Sequence, residues 1–173
     1  MNKSKKTKRF AHLWAPWRME YVRLPEDEKP KTCIFCTKPK YDKDKEDLIL
    51  YRGKKAFIIM NRYPYNNGHV MVVPYRHLSD YLVLSEEELS EISKLTQITV
   101  AILKKTMNPD GFNIGFNIGE SAGAGIAQHI HKHIVPRWNG DTSFMPVLGH
   151  TQVNVDGMTE CWQMLKTEYD KVK

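Results

Sequence analysis

The segment Gln128-His129-Ile130-His131-Lys132-His133-Ile134-Val135 carries a histidine at every second position. Side chains alternate between the two faces of a β-strand, so residues two apart lie on the same face. A strand through this segment would therefore place His129, His131 and His133 on one surface, with Ile130 and Ile134 on the other. The segment predicts a β-strand with one histidine-lined face and one apolar face.

Three interpretations of this histidine row are open. Buried core histidines would each need hydrogen-bond partners, and a tri-histidine metal site is possible because neutral imidazole is a common ligand. Catalysis is favoured by residues 119–125, where glycines and small side chains allow a ligand to approach the backbone closely. Backbone N–H groups in such a loop suit phosphate oxygens, and a neutral imidazole can attack phosphorus.

Periodicity elsewhere in the chain indicates an α+β fold. Turn signals separate stretches with period two, and Ser85-Glu86-Glu87-Glu88 is a capping box that begins a helical pattern. Strands are predicted over residues 48–52, 56–60, 69–74, 112–118 and 128–135, and helices from Ser85 to about Thr106 and over residues 158–171. These elements predict a five-stranded antiparallel meander with one long and one C-terminal helix.

Length and composition fit one globular domain. The chain has 173 residues, of which 41% are hydrophobic and 27% charged. No apolar run is long enough to cross a membrane, and the basic N-terminus is not followed by the apolar stretch of a signal peptide. We expect a cytoplasmic protein with a single domain over residues 13–173, preceded by a flexible tail over residues 1–12.

The net charge of +6 raises the question of nucleic-acid binding. Residues 1–10 contain five basic side chains and no acid, which leaves 21 basic against 20 acidic residues in the rest of the chain. The excess charge therefore belongs to the tail, and a solvated end is the simpler interpretation. A nucleic-acid partner is not expected.

The three cysteines are Cys33, Cys36 and Cys161. An odd number in a chain without a secretory signal argues against a disulfide framework. The Cys33-Ile34-Phe35-Cys36 segment leaves three possibilities, which are a metal site, a redox pair and a small apolar packing pair.

These motifs together resemble the histidine-triad (HIT) superfamily, whose signature is His-x-His-x-His followed by two apolar residues. Residues 60–74 (Met60-Asn61-Arg62-Tyr63-Pro64-Tyr65 through Pro74) are similar to the family's nucleoside-binding hairpin, and residues 111–125 to its phosphate loop. The resemblance covers roughly residues 33–150. Three segments look most like the bacterial diadenosine tetraphosphate phosphorylase group: Leu13-Trp14-Ala15-Pro16-Trp17-Arg18, Tyr63-Pro64-Tyr65-Asn66 and Val135-Pro136-Arg137-Trp138.

The resemblance implies a two-step nucleotidyl transfer. His131 would attack the α-phosphorus of a dinucleoside polyphosphate, and inorganic phosphate or water would then cleave the nucleotidyl-His131 intermediate. His133 would position and polarise the phosphoryl group. Asn117 matches a position that contacts the α-phosphate, Asn61 one that contacts the ribose, and His69 belongs to the same pocket. Further nucleotide contacts are expected from Ser121, Gly123 and Gly125.

Zinc-bearing members of the superfamily use two cysteines and two histidines that match Cys33, Cys36, His77 and His129 here. Such a closed set of four ligands implies one structural zinc ion per chain. His129 would then be a metal ligand, and His131 and His133 would carry the chemistry. Cys161 has no ligand role in this scheme, and we expect it to serve only in packing. The resemblance also implies a homodimer in which sheets and helices pair.

Two departures from the family pattern affect the interpretation. Lys132 stands where an apolar residue is usual, which predicts partial exposure of that strand face. Gly125 and Ile126 lie where phosphoramidate-cleaving relatives carry a serine, so a nucleoside phosphoramidate hydrolase is a weaker alternative. A zinc-containing nucleic-acid-binding module and a non-catalytic scaffold are the alternatives outside the enzyme class.

Overall fold

The computed structural model describes residues 32–141 and 157–172. The basic tail of residues 1–12 and the aromatic segment of residues 13–18 lie outside these ranges. Within them, no helix has both the length and the apolar character needed to cross a membrane.

A single five-stranded antiparallel sheet organises the fold. Its strands are β1 (Ile49–Arg52), β2 (Ala56–Met60), β3 (Val70–Pro74), β4 (Gly111–Phe116) and β5 (Lys132–Arg137). Every residue of β2 and β3 is buried. The predicted number, type and approximate position of the strands are confirmed.

The strand order is β1-β2-β3-β5-β4, so the sheet is not the simple meander that the sequence suggested. The first three strands follow one another through short turns. A long helix then separates β3 from β4, which leaves room for β5 to return between them. The histidine-bearing strand therefore occupies the interior of the sheet, and β4 is an edge strand.

The histidine segment enters the sheet later than predicted. β5 starts at Lys132, whereas the sequence placed the strand over residues 128–135. Before β5, the N–H of Ile130 donates to the carbonyl of Leu78 at 2.7 Å. His129 and His131 therefore sit just before the regular ladder, and His133 lies within it, opposite Met71 of β3.

Two short helices that the sequence did not predict precede the sheet. They are α1 (Ile34–Thr37) and α2 (Asp44–Asp47), with a 3₁₀ turn at Lys38–Lys40 between them. Arg52 of β1 holds this region to the sheet by donating to the carbonyls of Pro39 and Tyr41 and to the carboxylate of Asp44.

The long helix, α3 (Glu86–Met107), packs on β2, β3 and β5. The predicted capping box is present, because the Ser85 hydroxyl accepts from the Glu88 N–H and the Glu88 carboxylate accepts from the Ser85 N–H. Leu89, which falls on the apolar face by helical spacing, is 37% exposed. Glu88 is buried instead, paired with Arg76.

The C-terminal helix, α4 (Met158–Tyr169), confirms the predicted closing helix and packs on β1 and α3. The Trp162 indole donates to the Ile49 carbonyl, and the Tyr169 hydroxyl donates to the Thr99 hydroxyl. Burial raises the pKa of Tyr169, so this phenol remains a neutral donor. Buried hydrogen bonds thus fix the helix on the core at both ends.

Candidate active site

The histidine row lies in the interior of the protein. His129, His131 and His133 are each less than 10% exposed, and so is His69, which directly precedes β3. Phe35 of α1 packs on two of these rings, with ring centroids 5.5 Å from His129 and 5.0 Å from His131. The Cys-x-x-Cys segment therefore forms a wall beside the histidine row.

Cys33, Cys36, His77 and His129 form a four-residue cluster at one end of the row. Their ligand atoms all lie within 4.8 Å of one another. The Cys33 sulfur is 3.3 Å from His129 Nδ1, and the Cys36 sulfur is 3.2 Å from His77 Nδ1. Two sulfurs and two ring nitrogens around a common centre suit a tetrahedral structural metal ion, and Zn²⁺ in particular.

The orientation of His129 also fits a metal ligand. Its Nε2 lies 2.9 Å from the carbonyl oxygen of Pro74, which can only accept, so Nε2 carries the proton. The unprotonated Nδ1 then faces the sulfurs. A backbone carbonyl that fixes the distal N–H is the usual outer-shell support of a metal-bound histidine.

The Cys36 thiol is not activated for nucleophilic attack. Burial and the neighbouring Cys33 raise its pKa, whereas an attacking cysteine has a lowered pKa. Cys161 is buried in the core, away from this cluster, and lines a small cavity with Met60 and His69.

His131 is held in a defined tautomer. Its Nδ1 lies 2.8 Å from the carbonyl oxygen of His129, so Nδ1 is the protonated nitrogen. The lone pair is therefore on Nε2. Burial lowers the pKa of His131, which keeps the imidazole neutral near pH 7. A neutral ring with an available Nε2 lone pair can act as a nucleophile.

His133 has the opposite tautomer, fixed through His69. The backbone N–H of Tyr65 donates to His69 Nδ1 at 3.0 Å, so His69 in its neutral form carries its proton on Nε2. That Nε2 is 2.9 Å from His133 Nδ1, which must then accept. The proton of His133 therefore lies on Nε2, which makes this nitrogen a hydrogen-bond donor.

The two tautomers give neighbouring rings different abilities. The ring centroids of His131 and His133 are 4.8 Å apart and the rings are nearly perpendicular. His131 presents a lone pair and His133 presents an N–H. Such a pair can attack an electrophilic centre and donate a hydrogen bond to an oxygen on that centre.

Tyr65 is a residue of the site that was not recognised from the sequence alone. Its ring packs on His69 and His133, with centroids 4.7 and 5.6 Å away, and its hydroxyl accepts from the Asn117 amide at 3.4 Å. Its position four residues before His69 in the hairpin was the available signal. Tyr65 thus connects the hairpin to Asn117, the residue expected to contact the α-phosphate.

The remaining predicted nucleotide contacts fall into two groups. The Asn61 amide lies 3.3 Å from His69 Nδ1. Tyr65 contacts His69 through its N–H and Asn117 through its hydroxyl, so the three predicted residues lie close to one another. Ser121, Gly123 and Gly125 are exposed in the loop between β4 and β5. The N–H groups of Ala122, Gly123 and Ala124 donate to carbonyls within that loop. These amides are therefore engaged in the loop's own turn.

Lys132 lies between His131 and His133, and its side chain is on the opposite strand face by alternation. It is half-buried, with its ammonium 5.8 Å from the centroid of the Phe116 ring on β4. Burial lowers its pKa. The partial exposure predicted for this strand face is found at Lys132 alone, because Ile130 and Ile134 on the same face are buried.

Comparisons with known proteins agree with this geometry. Residues 42–140, more than half of the chain, match the family described as HIT domain. The AP-4-A phosphorylase of Mycobacterium tuberculosis (strain ATCC 25618 / H37Rv) is 38% identical over 162 residues, which cover 91% of this chain and 83% of that relative.

Solved structures give the same fold. A Zn-bound histidine triad family protein from Mycobacterium smegmatis superposes with a TM-score of 0.64 at 24% identity, over 82% of this chain and 95% of that one. The hypothetical histidine triad nucleotide-binding protein ST2152 from Sulfolobus tokodaii strain7 gives a TM-score of 0.64 at 27% identity, over 82% and 94%.

Proposed function

Because this chain belongs to the HIT domain family, we propose that it cleaves dinucleoside polyphosphates, diadenosine tetraphosphate in particular, at the α-phosphorus. The observation that carries the proposal is the pair of opposite tautomers on His131 and His133. The relative that is named an AP-4-A phosphorylase supports the choice of substrate.

In the first step, Nε2 of His131 attacks the α-phosphorus. An N–P bond forms, the P–O bond to the rest of the polyphosphate breaks, and ATP leaves with the electron pair of that bond. The Nε2–H of His133 donates to a non-bridging oxygen of the α-phosphoryl group and stabilises its developing charge. The product on the enzyme is adenylyl-His131.

In the second step, an oxygen of inorganic phosphate attacks the same phosphorus and the N–P bond breaks. ADP leaves, and His131 regains its Nε2 lone pair. Water in place of phosphate would give AMP instead. We favour phosphate because of the similarity to the phosphorylase.

We propose that Cys33, Cys36, His77 and His129 hold a structural zinc ion. The ion would supply no chemistry to either step, because the protein provides all four ligands and no coordination position is left open for substrate. Its contribution is to fix His129, whose carbonyl accepts the Nδ1 proton of His131. Reduced thiol ligands also suit a reducing compartment, so we propose a cytoplasmic location.

We also propose that the protein forms a homodimer through the β4 edge. β4 is hydrogen-bonded on only one side within the described chain, and Ile114 on it is 44% exposed. Ile118, just beyond it, is 50% exposed. Such an edge is a template for pairing with a second strand. Light scattering should give twice the chain mass, and an Ile114→Lys variant should shift toward monomer.

The decisive experiment is to incubate the protein with diadenosine tetraphosphate, with and without phosphate, and to identify the products. ADP plus ATP that appears only with phosphate supports phosphorolysis. AMP plus ATP means hydrolysis at the α-phosphorus, whereas two ADP would mean hydrolysis between the two central phosphates and would contradict attack at the α-phosphorus. No turnover under either condition would contradict the proposed function and favour a binding protein.

A further inference from the structure

A carboxylate outside the described chemistry fastens the hairpin of His69 to the end of β5. Asp141 Oδ2 accepts from Arg137 Nε at 2.6 Å, from Asn66 Nδ2 at 2.8 Å and from the Trp138 N–H at 3.1 Å. Its Oδ1 accepts from Arg137 Nη2 at 2.9 Å. The side chain is only 9% exposed, so water does little to replace these donors.

Asn66 connects this carboxylate to His69. Its side-chain amide donates to Asp141 and also to the Pro136 carbonyl at 3.1 Å. Its own backbone carbonyl accepts from the His69 N–H at 3.2 Å. Asn66 is therefore the one residue between Asp141 and His69, and the imidazole of His69 fixes the tautomer of His133.

Arg137 completes the attachment on the other side. It is bound to Asp141 through two nitrogens, and its Nη1 donates to the Asn113 side chain on β4 at 2.7 Å. The hairpin, β5 and β4 thus meet at one carboxylate. A paired, buried charge of this kind holds geometry more firmly than a neutral hydrogen bond, because charge-assisted bonds are stronger.

We propose that Asp141 is a positioning residue for the reaction. Acting through Asn66, it fixes residues 61–68 so that the Tyr65 N–H faces His69 Nδ1 and the His69 Nε2–H faces His133. Without this attachment the hairpin shifts, and His133 no longer holds its proton on Nε2. The kinetic part of the proposal rests on the proposed function, and the structural part does not.

The test compares Asp141→Ala with Asp44→Ala. Asp44 is a matched control, since it also accepts two bonds from one arginine, Arg52, but lies in α2 away from the histidine row. We expect Asp141→Ala to lower kcat by roughly 10- to 100-fold with a smaller change in KM, because a small misplacement of a positioned group has effects of this size. Asp44→Ala should change kcat less than about threefold. A rise in KM alone would overturn the proposal.

Nitrogen-15 spectra of the histidine rings give a readout that needs no substrate. In the native protein, Nδ1 of His69 and Nδ1 of His133 should both be unprotonated. Asp141→Ala should produce a mixture of tautomers at His133, whereas Asp44→Ala should not. Native tautomers in Asp141→Ala would overturn the proposal, even if the native protein shows no turnover and the proposed function fails.

Asn66→Ala covers the case in which Asp141→Ala does not fold. It removes the Asn66 amide and leaves the Asp141–Arg137 pair intact. If the attachment acts as described, this variant should show the same loss of kcat and the same mixture of tautomers. Normal kcat and native tautomers in Asn66→Ala would overturn the proposal.

Discussion

The two ends of the histidine row differ in how the same side chain is used. At the end nearest Cys33 and Cys36, called the metal end after the proposed zinc site, the Nε2–H of His129 donates to a backbone carbonyl and Nδ1 faces the two sulfurs. At the other end, where the proposed reaction takes place, the Nδ1–H of His131 donates to a carbonyl and leaves the Nε2 lone pair available. His133 accepts on Nδ1 and has its proton on Nε2. The partner of one ring nitrogen decides what the other can do.

The largest effect is expected when the proposed nucleophile is removed, which tests the difference between the two ends of the row directly. His131→Ala should lower turnover by about 10⁴-fold or more, because His131 is the group proposed to form the covalent intermediate. Thermal unfolding should show that the fold is kept. Product formation under single-turnover conditions is the measurement, and a near-native rate would assign the nucleophile to another residue.

The donor role of His133 should have a smaller effect. His133→Ala should lower kcat by roughly 10²- to 10³-fold, as expected for loss of one hydrogen-bond donor to a developing negative charge. Adenylyl-enzyme should still form, only slowly. Complete absence of the covalent species in this variant would indicate that His133, and not His131, is the nucleophile.

Disruption of the metal end should affect stability more than chemistry. The native protein should contain one zinc ion per chain by elemental analysis. Cys33→Ser should lose this ion and several kcal/mol of unfolding free energy, because structural zinc contributes folding energy. The matched control is Cys161→Ala, which should keep the zinc. Well under one zinc ion per chain in the native protein, together with freely titratable thiols, would contradict the proposed zinc site.

The Arg76–Glu88 pair joins the residue before His77 to the first turn of α3, so its loss should affect stability and not chemistry. Arg76 and the capping bond lower the pKa of Glu88 to about 2. The resulting stabilisation is complete above the ordinary carboxyl pKa, near 4.5, and is lost as the pH falls toward 2. Glu88→Gln should cost about 1–3 kcal/mol at pH 7. Urea unfolding should show this difference shrinking below pH 4, and a constant difference would contradict it.

The smallest effect is expected from residues 1–10. If the basic tail guided the anionic substrate, its deletion would lower kcat/KM at low salt, and the loss would shrink as salt rises. If it bound nucleic acid, deletion would remove a salt-sensitive shift of RNA or DNA and leave turnover alone. We expect neither change. A salt-dependent loss of kcat/KM would show this expectation to be wrong.

The sequence was sufficient for the features that depend on local pattern. Period two located the strands, and the capping box located the start of α3 at Glu86. The proposed metal ligands were identified from their family positions, and the structure brings all four together. The order of β4 and β5 was missed, because strand pairing depends on contacts that local periodicity does not record.

The tautomers could not be predicted, because each depends on one distant or backbone partner. His133 is fixed by His69, which is 64 residues away in the chain, and His69 by the backbone N–H of Tyr65. Asp141 was missed for the same reason, since its contact with Asn66 spans 75 residues. The loop of residues 119–125 was expected to offer free amides, and several of them donate within the loop instead.

Phe35 shows that a domain boundary drawn from similarity can differ from one drawn from packing. The family match begins at residue 42. Phe35, seven residues earlier, is 1% exposed and contacts both His129 and His131. A fragment that starts at residue 42 would keep every histidine of the row, yet it would open His131, the proposed nucleophile, to solvent on one side. The smallest unit that can work must therefore include the segment Cys33-Ile34-Phe35-Cys36.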